Sequence, residues 1–138
     1  MPKRKSISKL KKEAWEQFSK YIRLRDCLVT MGSKEQGRCF TCGKVYPFKS
    51  LQAGHFIDGR NASVLFDEDL VHAQCVGCNI YKSGNKDEYT PKMIELYGLE
   101  KVQEFWQKKN QVHQWRQEEL EQIKNEYKEL YKDTMENN

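Results

Sequence analysis

At 138 residues the chain has the length of one domain, so a single core is expected rather than a multi-domain enzyme. With 38% hydrophobic and 32% charged residues and a mean hydropathy of -0.91, it holds no run near the ~20 apolar residues of a membrane span, and its basic start lacks the apolar stretch of a secretory signal. The net charge of +4 is uneven, with nine Lys and Arg against Glu13 and Glu16 in residues 1–25 and a net acidic remainder, an asymmetry that fits a nucleic-acid-facing end or a solubilising tail.

The chain opens on a basic arm, residues 1–12, that carries Lys3, Arg4, Lys5, Lys9, Lys11 and Lys12. Over residues 8–26, Leu10, Ala14, Trp15, Phe18, Tyr21 and Ile22 recur at three- and four-residue intervals, which predicts an amphipathic helix. Residues 28–38, with Gly32, Ser33 and Gly37, read as a loop. Between Cys39 and Ala73 the helical period is lost. Short apolar groups at Val45-Tyr46, Leu51, Phe56-Ile57, Val64-Leu65-Phe66 and Leu70-Val71 predict short strands there. A hairpin with arms at 51–57 and 70–74 and a loop at 59–63 is the expected pairing. After Cys78 a turn through Ile80 and Tyr81 breaks at Ser83-Gly84, and Thr90-Pro91 supplies an N-cap and first-turn proline for a helix that Gly98 stops. Residues 99–109 are expected to form a further helix that buries Val102, Phe105 and Trp106. In the last helix Leu120, Ile123, Tyr127 and Leu130 make a stripe for packing on the N-terminal helix or for a homodimer seam.

Five cysteines, an odd number in a chain without an export signal, argue against a disulfide framework. Four of them form the C-x2-C pairs Cys39-Phe40-Thr41-Cys42 and Cys75-Val76-Gly77-Cys78. Such a turn aims both sulfurs at one ion while its N–H groups bond the thiolates, so Cys39, Cys42, Cys75 and Cys78 are expected to hold a structural zinc. A small core benefits from that staple. Cys27 reads as a small buried residue rather than a fifth ligand.

Inside the loop closed by the two pairs lie Gln52-Ala53-Gly54-His55-Phe56 and Asp67-Glu68-Asp69-Leu70-Val71-His72-Ala73-Gln74, and Asn79 follows Cys78. With zinc tying the hairpin to the next helix, His55 on a strand and Asn79 at the helix start are expected to face each other. An imidazole beside a carboxamide or carboxylate metal ligand suits phosphodiester hydrolysis: the ring takes a proton from water while a divalent ion polarises the phosphoryl oxygen.

Several stretches together resemble the lambdoid phage NinG, or Rap, recombination endonucleases. They are Ala53-Gly54-His55-Phe56, Leu65-Phe66 through His72-Ala73-Gln74-Cys75-Val76-Gly77-Cys78-Asn79, and Lys82-Ser83-Gly84-Asn85. Upstream, Ala14-Trp15 through Tyr21-Ile22-Arg23-Leu24-Arg25-Asp26, and downstream Tyr89 and Leu96-Tyr97-Gly98, extend the likeness across residues 14–130. The resemblance implies an α+β fold: a zinc-stapled ββα-metal (HNH, His-Me finger) core at about 39–85 between an N-terminal helix and a C-terminal helical region at about 86–136. After the arm at 1–12, residues 13–138 would then form a single nuclease domain.

The function so implied is metal-dependent cleavage of branched DNA, such as Holliday junctions and D-loops, by a phage protein in the cytoplasm of its bacterial host. Beside the structural zinc it implies a separate Mg2+ or Mn2+. By position His55 would be the general base and Asn79 a ligand of the catalytic ion. Gly54 stands where HNH enzymes commonly place a metal-binding Asp or His, and Leu70 where relatives carry a middle asparagine, so other groups must fill those roles. Asp67, as ligand, and His72 rank first among Asp67, Asp69, Asp58 and His72. Lys3, Arg4, Lys5, Lys9, Lys11, Lys12, Arg23, Arg25, Lys82 and Asn85 are the candidates for DNA contact, Asn85 also for a helix cap. A non-catalytic zinc-knuckle DNA-binding protein and an HNH nuclease with another DNA target are the alternatives.

Overall fold

The structure is a computed structural model that describes residues 5–58 and 63–137; Lys3, Arg4 and most of the expected hairpin loop lie outside the described residues. It mixes helices with two small antiparallel sheets. Helix α1 (Ile7–Met31) starts where the Ser6 hydroxyl accepts from the Lys9 N–H at 3.2 Å. It stops at Gly32, whose left-handed φ of 60° turns its N–H onto the Leu28 carbonyl. Residues 28–31, expected in a loop, therefore belong to the helix, and Cys27 is buried within it against Leu51 and Ala73. Strands β1 (Gln36–Arg38) and β2 (Val45–Pro47) pair antiparallel around the first cysteine turn, so part of that expected loop is a strand as well.

The second sheet is the hairpin of β3 (Leu51–His55) and β4 (Val71–Cys75), in register from Leu51 opposite Cys75 to His55 opposite Val71. Its arms fall within two residues of those expected. Val64 to Phe66, expected as a strand, instead make a turn ahead of a 3-10 turn at Glu68–Leu70. Side chains alternate across the hairpin. Ala53 and Val71 pack on Phe18 and Ile22 of α1, whereas Gln52, Gly54, His72 and Gln74 face the opposite way. The outer edge of β4 is satisfied without a third strand. Arg25 Nη2 donates to the Val71 carbonyl at 2.8 Å, the Asp26 carboxylate accepts from the Ala73 N–H at 2.7 Å, and the Phe40 N–H donates to the Ala73 carbonyl at 2.8 Å.

Beyond β4 a π-helical turn, Gly77–Tyr81, leads through Ser83, Gly84 and Asn85, all at positive φ, into α2 (Lys86–Tyr97). Thr90 and Pro91 lie inside α2 rather than at its start. The earlier start carries Tyr89 into the core, where its hydroxyl donates to the Gly54 carbonyl at 2.8 Å. Gly98 ends α2 as expected, and α3 (Leu99–Gln107) returns Val102 and Phe105 to the same core. In α4 (Gln117–Glu136), Leu120, Ile123, Tyr127 and Leu130 pack around Leu10, Ala14 and Phe18 of α1. Phe18 and Tyr127 meet edge to face with ring centroids 4.9 Å apart, a contact worth about 0.5–1.5 kcal/mol. The stripe thereby packs on α1, the first of its two expected roles. Among the described residues no helix is long and apolar enough to cross a membrane.

Candidate metal centre and the amide cluster beside it

The four cysteine sulfurs of the two C-x2-C pairs lie within 4.8 Å of one another. Cys42 and Cys75 are 3.9 Å apart at sulfur, close to the ~3.8 Å edge of a tetrahedron with Zn–S bonds of about 2.3 Å. Each turn supplies the expected N–H to sulfur contact, Cys42 N to Cys39 at 3.5 Å and Cys78 N to Cys75 at 3.4 Å. The Thr41 hydroxyl lies 3.4 Å from the Cys39 sulfur, and Asn85 Nδ2 donates to the Cys78 sulfur at 3.4 Å. Donor chemistry and geometry fit, and the cluster could hold a structural metal such as zinc. Asn85 does not cap α2 with its side chain; its amide is directed at the Cys78 sulfur instead. Cys27 stands apart, with burial pushing its thiol up to about 11.

His55 ends β3 with its ring stacked on Trp15 of α1 at 4.6 Å. Its Nε2 lies 3.2 Å from the Leu65 carbonyl. A carbonyl only accepts, so the neutral ring donates from Nε2 and carries its lone pair on Nδ1. Burial lowers the pKa of the ring and nearby Lys86 adds to this, while the Leu65 carbonyl and Asp58 pull the other way. The neutral, proton-accepting form is favoured.

The expected face-to-face meeting of His55 and Asn79 does not occur, because adjacent strand residues point to opposite faces. Asn79 lies on the other side of the hairpin, where its Nδ2 donates to Gln52 Oε1 at 2.8 Å. Gly54 shares that face. A Cβ on Gly54 would lie 1.7 Å from Gln74 Oε1 and 3.0 Å from Asn79 Oδ1. Gln74 is fully buried; its Nε2 bonds Thr41 and the Gly84 carbonyl, and its Oε1 has no partner among the described residues. Two amide oxygens thus converge on the space left by the missing side chain. Gly54→Ala should force Gln74 out of its bonds and lower stability by about 1–3 kcal/mol, read as a reduced denaturation midpoint with unchanged metal content.

Asp67 and His72 do not join this group. Asp67 accepts from the Asp69 N–H and pairs with Lys108 at 3.4 Å. It precedes β4 whereas Asn79 follows it, and the strand between them spans about 13 Å at ~3.3 Å per residue. His72 is buried, stacked on Phe40 at 4.1 Å, with Nδ1 3.3 Å from the Tyr89 hydroxyl. Its surroundings are those of a core residue rather than of a solvent-reaching acid or base. Burial lowers its pKa from 6.5 to about 4, Arg25 assisting and Asp26 opposing. The unfolded chain therefore binds the extra proton first, and stability present above pH 6.5 is lost as pH falls toward 4. The loss amounts to about 3 kcal/mol. Chemical denaturation across that window should show it, and His72→Phe should flatten the slope.

The basic residues divide. Lys9 and Lys12 on α1 and Lys82 beyond the second knuckle are exposed, and Lys5 is paired with Glu13 at 3.0 Å. Lys11 is half-buried on α1. Arg25 is not placed for phosphate, because its guanidinium is taken up by Asp26 and the carbonyls of Glu68 and Val71. Arg23 is half-buried, donating to the Ser19 carbonyl and lying over the Phe48 ring at 4.8 Å. Sequence reasoning missed Trp15 as the partner of His55, Gln74 as the buried amide, and Lys86, whose ammonium reaches the His55 and Phe56 carbonyls at 2.5 and 2.8 Å. Gln74 lies inside the HAQC stretch, so its position beside Cys75 was a usable signal; nothing local marks Lys86.

The family described as Bacteriophage Lambda NinG protein matches residues 2–137. Protein ninG of Salmonella phage P22 is 35% identical over 129 residues, 91% of this chain and 63% of the relative. Protein ninG of Escherichia phage lambda is 35% identical over 129 residues, 91% of this chain and 62% of the relative. The chain therefore spans about three fifths of the length of these relatives. No solved structure matches it.

Proposed function

Because the chain belongs to the NinG family, we propose that it is a metal-dependent DNA endonuclease of the HNH, ββα-metal type. Its substrates are branched recombination intermediates, Holliday junctions and D-loops, in the cytoplasm of a phage-infected bacterium. The observation that carries this reading is the state of His55: a neutral ring, anchored through Nε2 to the Leu65 carbonyl, with the Nδ1 lone pair left to accept a proton. In the proposed reaction Nδ1 takes a proton from water, the water oxygen bonds to phosphorus, and the bond to the 3' oxygen breaks; the departing 3' oxygen takes a proton from solvent, leaving 5'-phosphate and 3'-hydroxyl ends.

The proposed catalytic Mg2+ or Mn2+ would neutralise charge on the phosphoryl and leaving oxygens. Asn79 Oδ1 and the orphaned Gln74 Oε1 beside Gly54 are oxygen donors of the type such ions take, but they lie across the hairpin from His55, so they would not ligate an ion held on the phosphate that its water attacks. Asp67 is replaced in this reading by DNA phosphate as the source of negative charge, and Asp58 is the acid nearest to His55 in influence. The four cysteines would hold zinc and keep the hairpin seated on the π-helical turn. Exposed Lys9, Lys12 and Lys82 would contact phosphate, with the arm at 1–12 adding charge ahead of a nuclease domain at 13–138.

A second reading, a non-catalytic zinc-knuckle DNA-binding protein, is favoured by one observation: Leu70 is buried in the core and no carboxylate joins Asn79 among the described contacts. Incubation of a synthetic four-way junction and its linear control with the protein, with and without Mg2+ or Mn2+, separates the two. Ion-dependent cutting of the junction in preference to the duplex is expected. Tight junction binding without cutting in either ion would leave the binding protein.

A further inference from the structure

We propose that Lys86 is the positioning residue for His55, its ammonium holding the end of β3 so that the imidazole is presented in one orientation. The inference rests on the nuclease reading for its catalytic meaning, but its geometry stands alone. Strand pairing ends at His55 opposite Val71, and one further bond, Phe56 N–H to the Leu70 carbonyl at 2.9 Å, closes the hairpin. Past that point the carbonyls of His55 and Phe56 need another donor. Leu70 cannot supply one, because its side chain is apolar and buried in the core. Lys86, the first residue of α2, donates to both at 2.5 and 2.8 Å and reaches the Asp58 carboxylate at 3.5 Å. An ammonium has three N–H donors, and three acceptors surround this one.

The lysine stem is itself confined. Its ammonium lies 5.6 Å from the centre of the Tyr89 ring, and a Cβ on Gly84 would approach its Cε to 3.0 Å. The turn that precedes α2, with Asn85 on the Cys78 sulfur and Gly84 against the lysine, therefore links the cysteine cluster to the histidine. Among the described residues the charged groups acting on the ring are Lys86 and Asp58; α1 offers it the uncharged Trp15, and the turn before β4 the Leu65 carbonyl. A fixed cation beside the ring disfavours a second positive charge on it, in keeping with a proton acceptor.

The test uses the full chain with Lys86→Met, Lys86→Gln and Lys86→Arg. Zinc content and helicity should be retained in all three. With Lys86→Met, junction cleavage should fall about 100-fold in kcat, the cost of a small misplacement of a reacting group, with KM little changed. The acid limb of the pH–rate profile should move to higher pH, and Lys86→Arg should recover most of the rate. By NMR, the His55 ring resonances should shift and titrate at higher pH in Lys86→Met, while those of His72 and His113 stay in place.

Wild-type rate, an unmoved acid limb and an unmoved His55 signal in Lys86→Met would overturn the assignment. Loss of zinc and helicity in both the Met and Gln variants would also overturn it, in favour of a purely structural role. If the wild type cuts no DNA, the nuclease reading fails separately. A His55 signal that moves in Lys86→Met then still supports the assignment, and one that does not move still overturns it.

Discussion

Cys75→Ser or Cys39→Ser should remove both the bound metal and the cooperative fold. Structural zinc contributes about 10–16 kcal/mol of apparent binding free energy in small zinc domains, as much as the ~5–15 kcal/mol net stability of a typical domain. The cluster around these sulfurs is small, Cys39, Cys75 and Cys78 with Tyr46 against them, so little apolar burial would remain there to replace the ion. Purified wild-type protein should carry one zinc per chain and melt in a single transition. The serine variants should carry less than a full equivalent and show a broadened or absent transition by circular dichroism, while Cys27→Ala keeps its metal. A serine variant with native ellipticity, a sharp melt and no metal would refute the structural role of the site.

His55→Ala should reduce junction cleavage by about 100- to 10,000-fold, the range for removal of a general base, with junction affinity within a few-fold of wild type. The ring also stacks on Trp15, so the alanine variant loses some packing, and His55→Asn provides a second variant of closer size. Zinc content and the thermal midpoint should separate the chemical effect from a folding one. A variant that cuts within tenfold of wild type would exclude His55 as the base.

The hairpin could be anticipated because short apolar groups between turn residues mark strands, and the arms at 51–57 and 70–74 differ from β3 and β4 by two residues or fewer. The cysteine cluster was equally legible, since two C-x2-C turns have few alternative uses. The facing of side chains was misread. Residues 54 and 55 alternate across a strand, so Gly54 and not His55 shares a face with Gln52 and Asn79. The expected helix start at Thr90-Pro91 followed a sound local rule that lost to burial of Tyr89. Arg25 was expected to contact DNA from the N-terminal helix, and Asp26 was read only as that helix's end. Their partners on β4 lie more than forty residues away along the chain, and no local pattern reveals them.

The substitution of helix side chains for a third strand along the outer flank of β4 bears on how these molecules behave in a crowd. A bare strand rim is a template on which a neighbouring copy can zip its own backbone, and proteins at high local density are prone to such fibrous association. Here a guanidinium, a carboxylate and one main-chain amide already occupy that rim. Asp26→Ala would strip the Ala73 amide and leave Arg25 without its counter-charge, turning a sealed flank into a sticky one, so that variant should scatter light on concentration under conditions in which the parent stays clear.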